Sequence, residues 1–365
     1  MRAYNIELFN RNYELIGHAN VGEVVIDIDY LSNTINTLTI PNGYFLKNKD
    51  TEGRFGDYIV IRKGKETRYT GLTTAIEKTK TDTIISFKTI LNIFDSRVVI
   101  DTDEQGRGTL EGFVSRLITK NFIENPDELQ NISGLVVEVQ SATTDWGFNF
   151  KSDKENMHTI ITNLYHNVII RAFQKYNLVV TTELDFATKQ LKVIVATNTE
   201  DERYIEANLD NVINKNFSVK KNVESVNKLV IYNTSDYSES IIYYLHSDNT
   251  FDTENRDRLF PVVVDSVGVD TENGGNFPKL ARSQAFDTFR RNQNNHLIEL
   301  EFLKNDKLVD FKNLHIGQKV KIINDGKIYD SVLTGFKIDK TVLLKFGNIR
   351  LDLTKILKRG FFNAD

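Results

Sequence analysis

The side chains best suited to acid–base or metal chemistry in this chain are six histidines, at positions 18, 158, 166, 246, 296 and 315, and a large set of carboxylates. Their spacing does not assemble a known site. There is no His-Glu-x-x-His pair, so the helical zinc arrangement of a metallopeptidase is missing. His158 and His166 fall on one predicted helix, but too far apart along it to share an ion. The chain has no cysteine, which excludes disulfides, thiolate nucleophiles and cysteine-held zinc or iron–sulfur centres. No Gly-x-Ser-x-Gly elbow occurs, and no phosphate-binding glycine pattern follows a strand.

Two acidic features are nearer to chemistry. Asp101-x-Asp103-x-Gln105-Gly106 has the opening of a calcium loop, but Gly112 stands at the twelfth position, where that loop needs a bidentate Glu. A solvated linker is the simpler reading. The stretch 247–276 carries Asp248, Asp252, Glu254, Asp257, Asp265, Asp270 and Glu272. A glycosidase needs two carboxylates facing each other across a sugar groove. No two of these are paired by the sequence, and Trp146 is the only tryptophan available as a sugar platform. The chain therefore reads as a non-enzyme, with no cofactor and no metal site.

Basic residues gather at Lys215, Lys220, Lys221 and Lys228, and again at Lys337, Lys340, Lys345, Arg350, Lys355, Lys358 and Arg359. These read as solvated strand faces and lysine-protected edges, or as a surface turned to an acidic partner or to passing DNA. A net charge of −4 argues against a dedicated nucleic-acid binder. At 365 residues the chain should hold two to four domains. No apolar run is long enough to span a bilayer, and the N-terminus alternates instead of forming a signal-peptide core.

The elements that would carry these residues are mostly strands. Residues 1–98 read as a small antiparallel barrel, with turns at Asn42-Gly43 and Lys63-Gly64. Residues 99–205 read as an inserted α+β domain. Its first helix is capped by Thr109, and a second is opened by the capping box Ser152-Asp-Lys-Glu155 and carries Met157, Ile160, Ile161, Leu164 and Val168. Residues 206–245 plus 296–365 read as a second, split barrel. Residues 246–295 read as a helix-bearing excursion inside it, with Gly274-Gly275 as a candidate hinge.

The two barrels share a pattern. Phe55–Lys88 and Ile316–Gly347, about 260 residues apart, both open on an apolar residue and a glycine, Gly56 and Gly317. Both then alternate, turn at Gly64-Lys65 or Gly326-Lys327, pass a tyrosine (Tyr69, Tyr329), and end on a third apolar strand. The expected fold is α+β and mostly β, with two related antiparallel β-barrel domains and two inserted α+β domains.

This layout resembles the tail-hub family of bacteriophages, also called baseplate hub or tail-associated lysin proteins, in the short siphophage form. The resemblance covers nearly the whole chain and rests on the paired units, the insertion after Thr89 and the excursion 246–295. It implies a homotrimer in the virion at the phage tail tip, made in the host cytoplasm, in which two barrels per chain adapt six-fold tail symmetry to three-fold tip symmetry. The implied partners are a distal tail protein ring, receptor-binding or tip proteins, the tape-measure protein, and DNA in transit without sequence-specific binding. The implied role is to form or close the ejection channel, with the excursion as gate. Many members carry a C-terminal lytic domain; this chain stops at Asp365, soon after the second barrel. The alternatives are the hub of a phage-like contractile bacteriocin or injection device, and a cell-wall glycan or peptide hydrolase.

Overall fold

The computed structural model describes residues 3–32, 34–47, 56–101, 108–141, 159–197, 203–220, 226–246, 250–257, 262–271, 276–292, 295–304, 306, 309, 311 and 314–347. The chain begins with β1 (Tyr4–Phe9), β2 (Leu15–Val21), β3 (Ile26–Asp29), β4 (Asn36–Pro41), β5 (Phe45–Lys47), β6 (Tyr58–Lys63), β7 (Glu66–Lys78) and β8 (Asp82–Thr89). There follow β9 (Arg97–Asp101), α1 (Leu110–Phe122), β10 (Leu135–Val139), β11 (Thr159–Asn163), α2 (Ile170–Tyr176), β12 (Leu178–Asp185) and β13 (Gln190–Thr197). Next come β14 (Arg203–Glu206), β15 (Val212–Lys220), β16 (Lys228–Asn233), β17 (Ser240–Leu245), β18 (Phe251–Asp252), β19 (Val264–Val269) and α3 (Phe277–Asn292). The last strands are β20 (Asn295–Leu303), β21 (Lys319–Asn324), β22 (Lys327–Ile338) and β23 (Thr341–Phe346).

The first barrel is the sheet β4-β8-β7-β6-β1-β2-β5. Its two edge strands are consecutive in the chain, joined by the short turn Asn42–Tyr44, which curls the sheet toward closure. Strict alternation puts Ile6, Leu8, Ile40, Ile59, Ile61, Ile85 and Phe87 in its fully buried core. Each such side chain contributes about 1.5–3 kcal/mol. The second barrel follows the order β14-β21-β22-β23-β20-β15, and its two end strands are again consecutive in sequence. It is not purely antiparallel, since β14 runs parallel to β21.

The two barrels are built on one meander. In the first, Gly56 N–H donates to Thr73 O (2.8 Å) and Thr73 N–H to Asp57 O (2.9 Å). In the second, Gly317 N–H donates to Leu333 O (2.9 Å) and Leu333 N–H to Gln318 O (2.9 Å). Tyr69 lies opposite Ile61, and Tyr329 opposite Ile322. The long middle strand bulges between Thr73 and Ala75 in one copy and between Leu333 and Gly335 in the other. A further antiparallel strand then flanks the third, β4 on β8 and β20 on β23.

Three sequence expectations are corrected. The smaller of the two compact units of the chain runs over Phe217–Leu297. Strands β16 and β17, expected in the split barrel 206–245 plus 296–365, instead form the sheet β18-β17-β16-β19 with the excursion, because Leu229, Ile231, Tyr243 and Leu245 bury against Phe277, Ala281, Ala285 and Phe289 of α3. Residues 99–205 do not form a unit of their own; they belong to the larger one. The helix expected after Ser152 is at its described end a strand. β11 pairs with β9, and only then do a π-helical turn, Leu164–Ile169, and α2 follow. β-branched Ile160 and Ile161 fit a pleated strand better than a helix, and Ile161 is exposed, which a core-facing helical position would not be. The capping box Ser152–Glu155 lies outside the described residues.

Candidate functional site at the junction of the two barrels

β3 belongs to the first barrel by sequence and to the second by hydrogen bonding. It pairs with the second half of β22, Asp29 opposite Gly335 and Ile26 opposite Ile338. Tyr30 N–H extends the ladder to Thr334 O at 2.9 Å. Gly335 is required at this contact, because a Cβ there would stand 2.4 Å from Ile28 O and 3.1 Å from Asp29 Cα. In the first copy, the corresponding place after the bulge is held by Ala75 opposite Ser86, where the second has Gly335 opposite Lys345. Among the described residues no strand is paired to that side of β7 beyond the bulge.

The Ile26-Asp-Ile-Asp29 alternation of β3 places two aspartates on one face, and Lys345 of β23 answers them. Its ammonium bonds the Asp27 carboxylate and lies 4.0 Å from Asp29 Oδ2. Lys345 is 6 % exposed and Asp29 5 %. Asp29 also accepts from Leu31 N–H (3.0 Å), while the Asn36 side chain clasps the Asp27 backbone, accepting from its N–H at 2.7 Å and donating to its O at 2.9 Å. Buried charge is tolerated only when paired and hydrogen-bonded in this way. Lys345, read from sequence as a solvated lysine, is therefore a buried latch.

A second clasp uses tyrosines. Tyr165 O–H donates to Tyr30 O (2.5 Å), Val180 N–H donates to the Tyr30 hydroxyl (2.9 Å), and the Tyr30 ring meets Phe173 at 4.8 Å. Burial pushes both phenols well above their usual range, so neither is a proton-transfer group near neutral pH. Asn177, in a left-handed conformation at the end of α2, donates to Gly317 O at 2.7 Å. Gly317 itself has φ +87° and sits against Val179, whose Cγ2 would be 2.5 Å from a Cβ. An open, mainly apolar cavity of about 320 Å³ lies beside this clasp, lined by Ile28, Tyr30, Tyr69, Leu91, Val180 and Ile316 among others. Among its described lining residues only Arg68 is charged.

Of the other residues singled out in the sequence, Gly56 (φ 80°), Gly64 (φ 66°) and Gly326 (φ 73°) also take left-handed backbone. The hairpin glycines are not at the same place. Lys63 opposite Glu66 leaves Gly64-Lys65 in the turn, whereas Asn324 opposite Lys327 leaves Asp325-Gly326. The first copy absorbs its additional residue in a bulge between Ile61 and Arg62. Gly274 and Gly275, most of the loop Asp101–Gly106, His158, Asp248 and Glu272 lie outside the described residues. His166 contacts Asp95 at 3.3 Å. His246, 2 % exposed, faces Arg256 O with Nδ1 (2.7 Å) and Asp252 Oδ1 with Nε2 (3.0 Å), the latter a close contact off the hydrogen-bond direction. Within the acidic stretch, Asp252 and Glu254 both pair with Arg256. Among the described residues no group of three or more His, Asp or Glu could hold a metal ion, and no helix is long and apolar enough to cross a membrane. What the junction can do chemically is join two barrels.

No protein-family model and no curated protein matches the chain. Solved structures do match. A tail protein from Neisseria meningitidis MC58 has 11 % identity and a TM-score of 0.55, over 94 % of this chain and 96 % of that one. The 43 kDa tail protein of prophage MuSo2 from Shewanella oneidensis has 10 % identity and a TM-score of 0.50, over 95 % of this chain and 98 % of that one. A chain of the Francisella PdpA–VgrG complex in its half-lidded form has 10 % identity and a TM-score of 0.51, over 94 % of this chain but 57 % of its own length. At these identities the likeness concerns the fold alone: over nearly its whole length this chain has the fold of the two tail proteins.

Proposed function

We propose that this chain is a structural component of a phage tail tip, a homotrimeric hub of the virion. The observation that carries this reading is the pair of like barrels locked together through β3. Three such chains would offer six similar barrel positions, and closed cyclic symmetry would halt association at the ring. The ring would meet a distal tail protein above and tip or receptor-binding proteins below. Its bore would pass tape-measure protein and DNA, and the Phe217–Leu297 unit would serve as the gate. Full-length likeness to two tail proteins, one of them from a prophage, supports the reading.

Mass photometry of the purified chain, alone and with the distal tail protein of the same phage, tests it. A trimer, or a monomer that trimerises on the ring, is expected; a strict dimer would overturn it. Zymography on cell-wall substrate should stay blank. A second reading, the hub of an injection device, is favoured by the likeness to the PdpA–VgrG chain. Gene neighbourhood separates the two.

A further inference from the structure

The four-stranded sheet of the smaller unit has one face covered and one open. Leu229, Ile231, Tyr243 and Leu245 point at α3. Strand alternation sends Val230, Tyr232 and Ile242 to the other face. At one end of this face an aromatic stack is built. Tyr232 lies over Gly268, where a Cβ would stand 3.0 Å from its ring and 2.6 Å from Thr234 Cγ2, so a larger residue there would displace the ring or the threonine. Tyr237, at the tip of the β16–β17 hairpin, stacks outside Tyr232 with ring centroids 6.0 Å apart and planes 22° apart. The residue is 76 % exposed.

An exposed tyrosine on a loose loop would be unremarkable. This loop is fixed. Asn233 accepts from Ser235 N–H (3.0 Å) and donates to Glu239 (2.8 Å), Asp236 accepts from both Ser238 N–H (3.0 Å) and Ser238 Oγ (2.7 Å), and Ser235 Oγ donates to Asp270 (2.7 Å). The hydrogen bonds from Ser238 hold Asp236 below the usual carboxylate range, so it stays ionised. An aromatic face ordered in advance loses little entropy when a ligand lands on it. Charge then selects the ligand. Asp236, Glu239 and Asp270 stand around this end of the face, and residues 233–241 and 266–271 contain no Lys or Arg; Lys228 sits at the far end. A planar cation satisfies both an aromatic face and a carboxylate rim, which a neutral sugar or an acidic segment does not.

We propose that the Tyr237–Tyr232 stack docks a basic protein segment, one arginine lying flat on the outer face of Tyr237 and pairing with the carboxylates of the hairpin rim. The site is independent of the tail-hub reading and is complete within the smaller unit.

Fluorescence anisotropy with a labelled Arg-Gly repeat peptide, set against a Lys-Gly peptide of equal length, tests this on the full chain. The arginine peptide should bind and the lysine peptide should bind several-fold more weakly, because an ammonium cannot stack. Tyr237→Ala should weaken binding about tenfold, Tyr237→Phe should retain it, and Asp236→Asn or added salt should lower it. Thermal melts matching the parent chain would establish that the variants fold. Unchanged binding by Tyr237→Ala would overturn the proposal. So would perturbation of the Tyr237 ring by chitohexaose without any peptide binding, or Tyr237-dependent self-association without peptide binding, which would assign the face to a glycan or to a second copy.

Discussion

The first and second barrels repeat one meander, down to the paired hydrogen bonds at Gly56 and Gly317 and the bulge in the middle strand, yet only the second accepts β3. Two residues make the difference. Gly335 clears the path for the Ile28 carbonyl where the first copy has Ala75, and Lys345 supplies a buried cation where the first copy has Ser86. A shared backbone thus became a socket in one copy and stayed unmodified in the other through two side chains. In such a duplicated fold, asymmetry does not need a new element; it needs a missing Cβ and one charge.

The comparison can be broken at the latch. Lys345→Ala leaves Asp27 and Asp29 without their cation and should cost about 3–5 kcal/mol, read as a drop in the denaturation midpoint. Ser86→Ala, its counterpart in the first barrel, should move the midpoint by less than about 0.5 kcal/mol. An equal effect at both sites would sink the account. Gly335→Ala should cost about 1–3 kcal/mol by pushing β3 off its neighbour, and hydrogen exchange should then rise at Tyr30 N–H while β1 and β6 stay protected. Ala75→Gly should change stability by about 1 kcal/mol or less, through backbone entropy alone. Tyr165→Phe removes one donor to Tyr30 O and should cost about 1 kcal/mol.

The smallest expected effect lies outside the barrels. Hydrogen bonds from Glu254 N–H and Arg256, with the His246 ring close by, hold Asp252 at about 2, below its ordinary value. A depressed carboxylate stabilises its loop above the unfolded-state value near 4 and ceases to do so as pH falls through 2. NMR signals of His246 and Glu254 N–H should therefore broaden or shift between about pH 4 and 2, and Asp252→Asn should abolish that transition. No change in the parent chain would show that the loop is held by packing instead.

How much of this was legible in the sequence follows from the range of each interaction. The meanders were legible because period-two alternation, a Gly-bearing turn and an apolar third strand all lie within some thirty residues. The expected tyrosine match, Tyr69 with Tyr329, holds in register. The junction was not legible. Asp27 and Lys345 are 318 residues apart, and nothing local marks Lys345 as buried. The one available signal was Ile26-Asp-Ile-Asp29 itself, two aspartates on one side of a strand flanked by Val24, Val25, Tyr30 and Leu31. Residues 159–163 misled for a related reason: Ile160, Ile161 and Leu164 satisfy helical spacing, but the first two are consumed by pairing with β9.

β3 also sets a timetable. It leaves the ribosome some three hundred residues before the strand it pairs with and the lysine that neutralises it. At ordinary synthesis rates of about 5–20 residues per second, the wait is roughly 15–60 seconds. During it an unpaired ribbon must avoid the edges of other nascent chains. Two negative charges in four residues are a fitting guard for that interval, keeping the ribbon soluble until its own partner arrives.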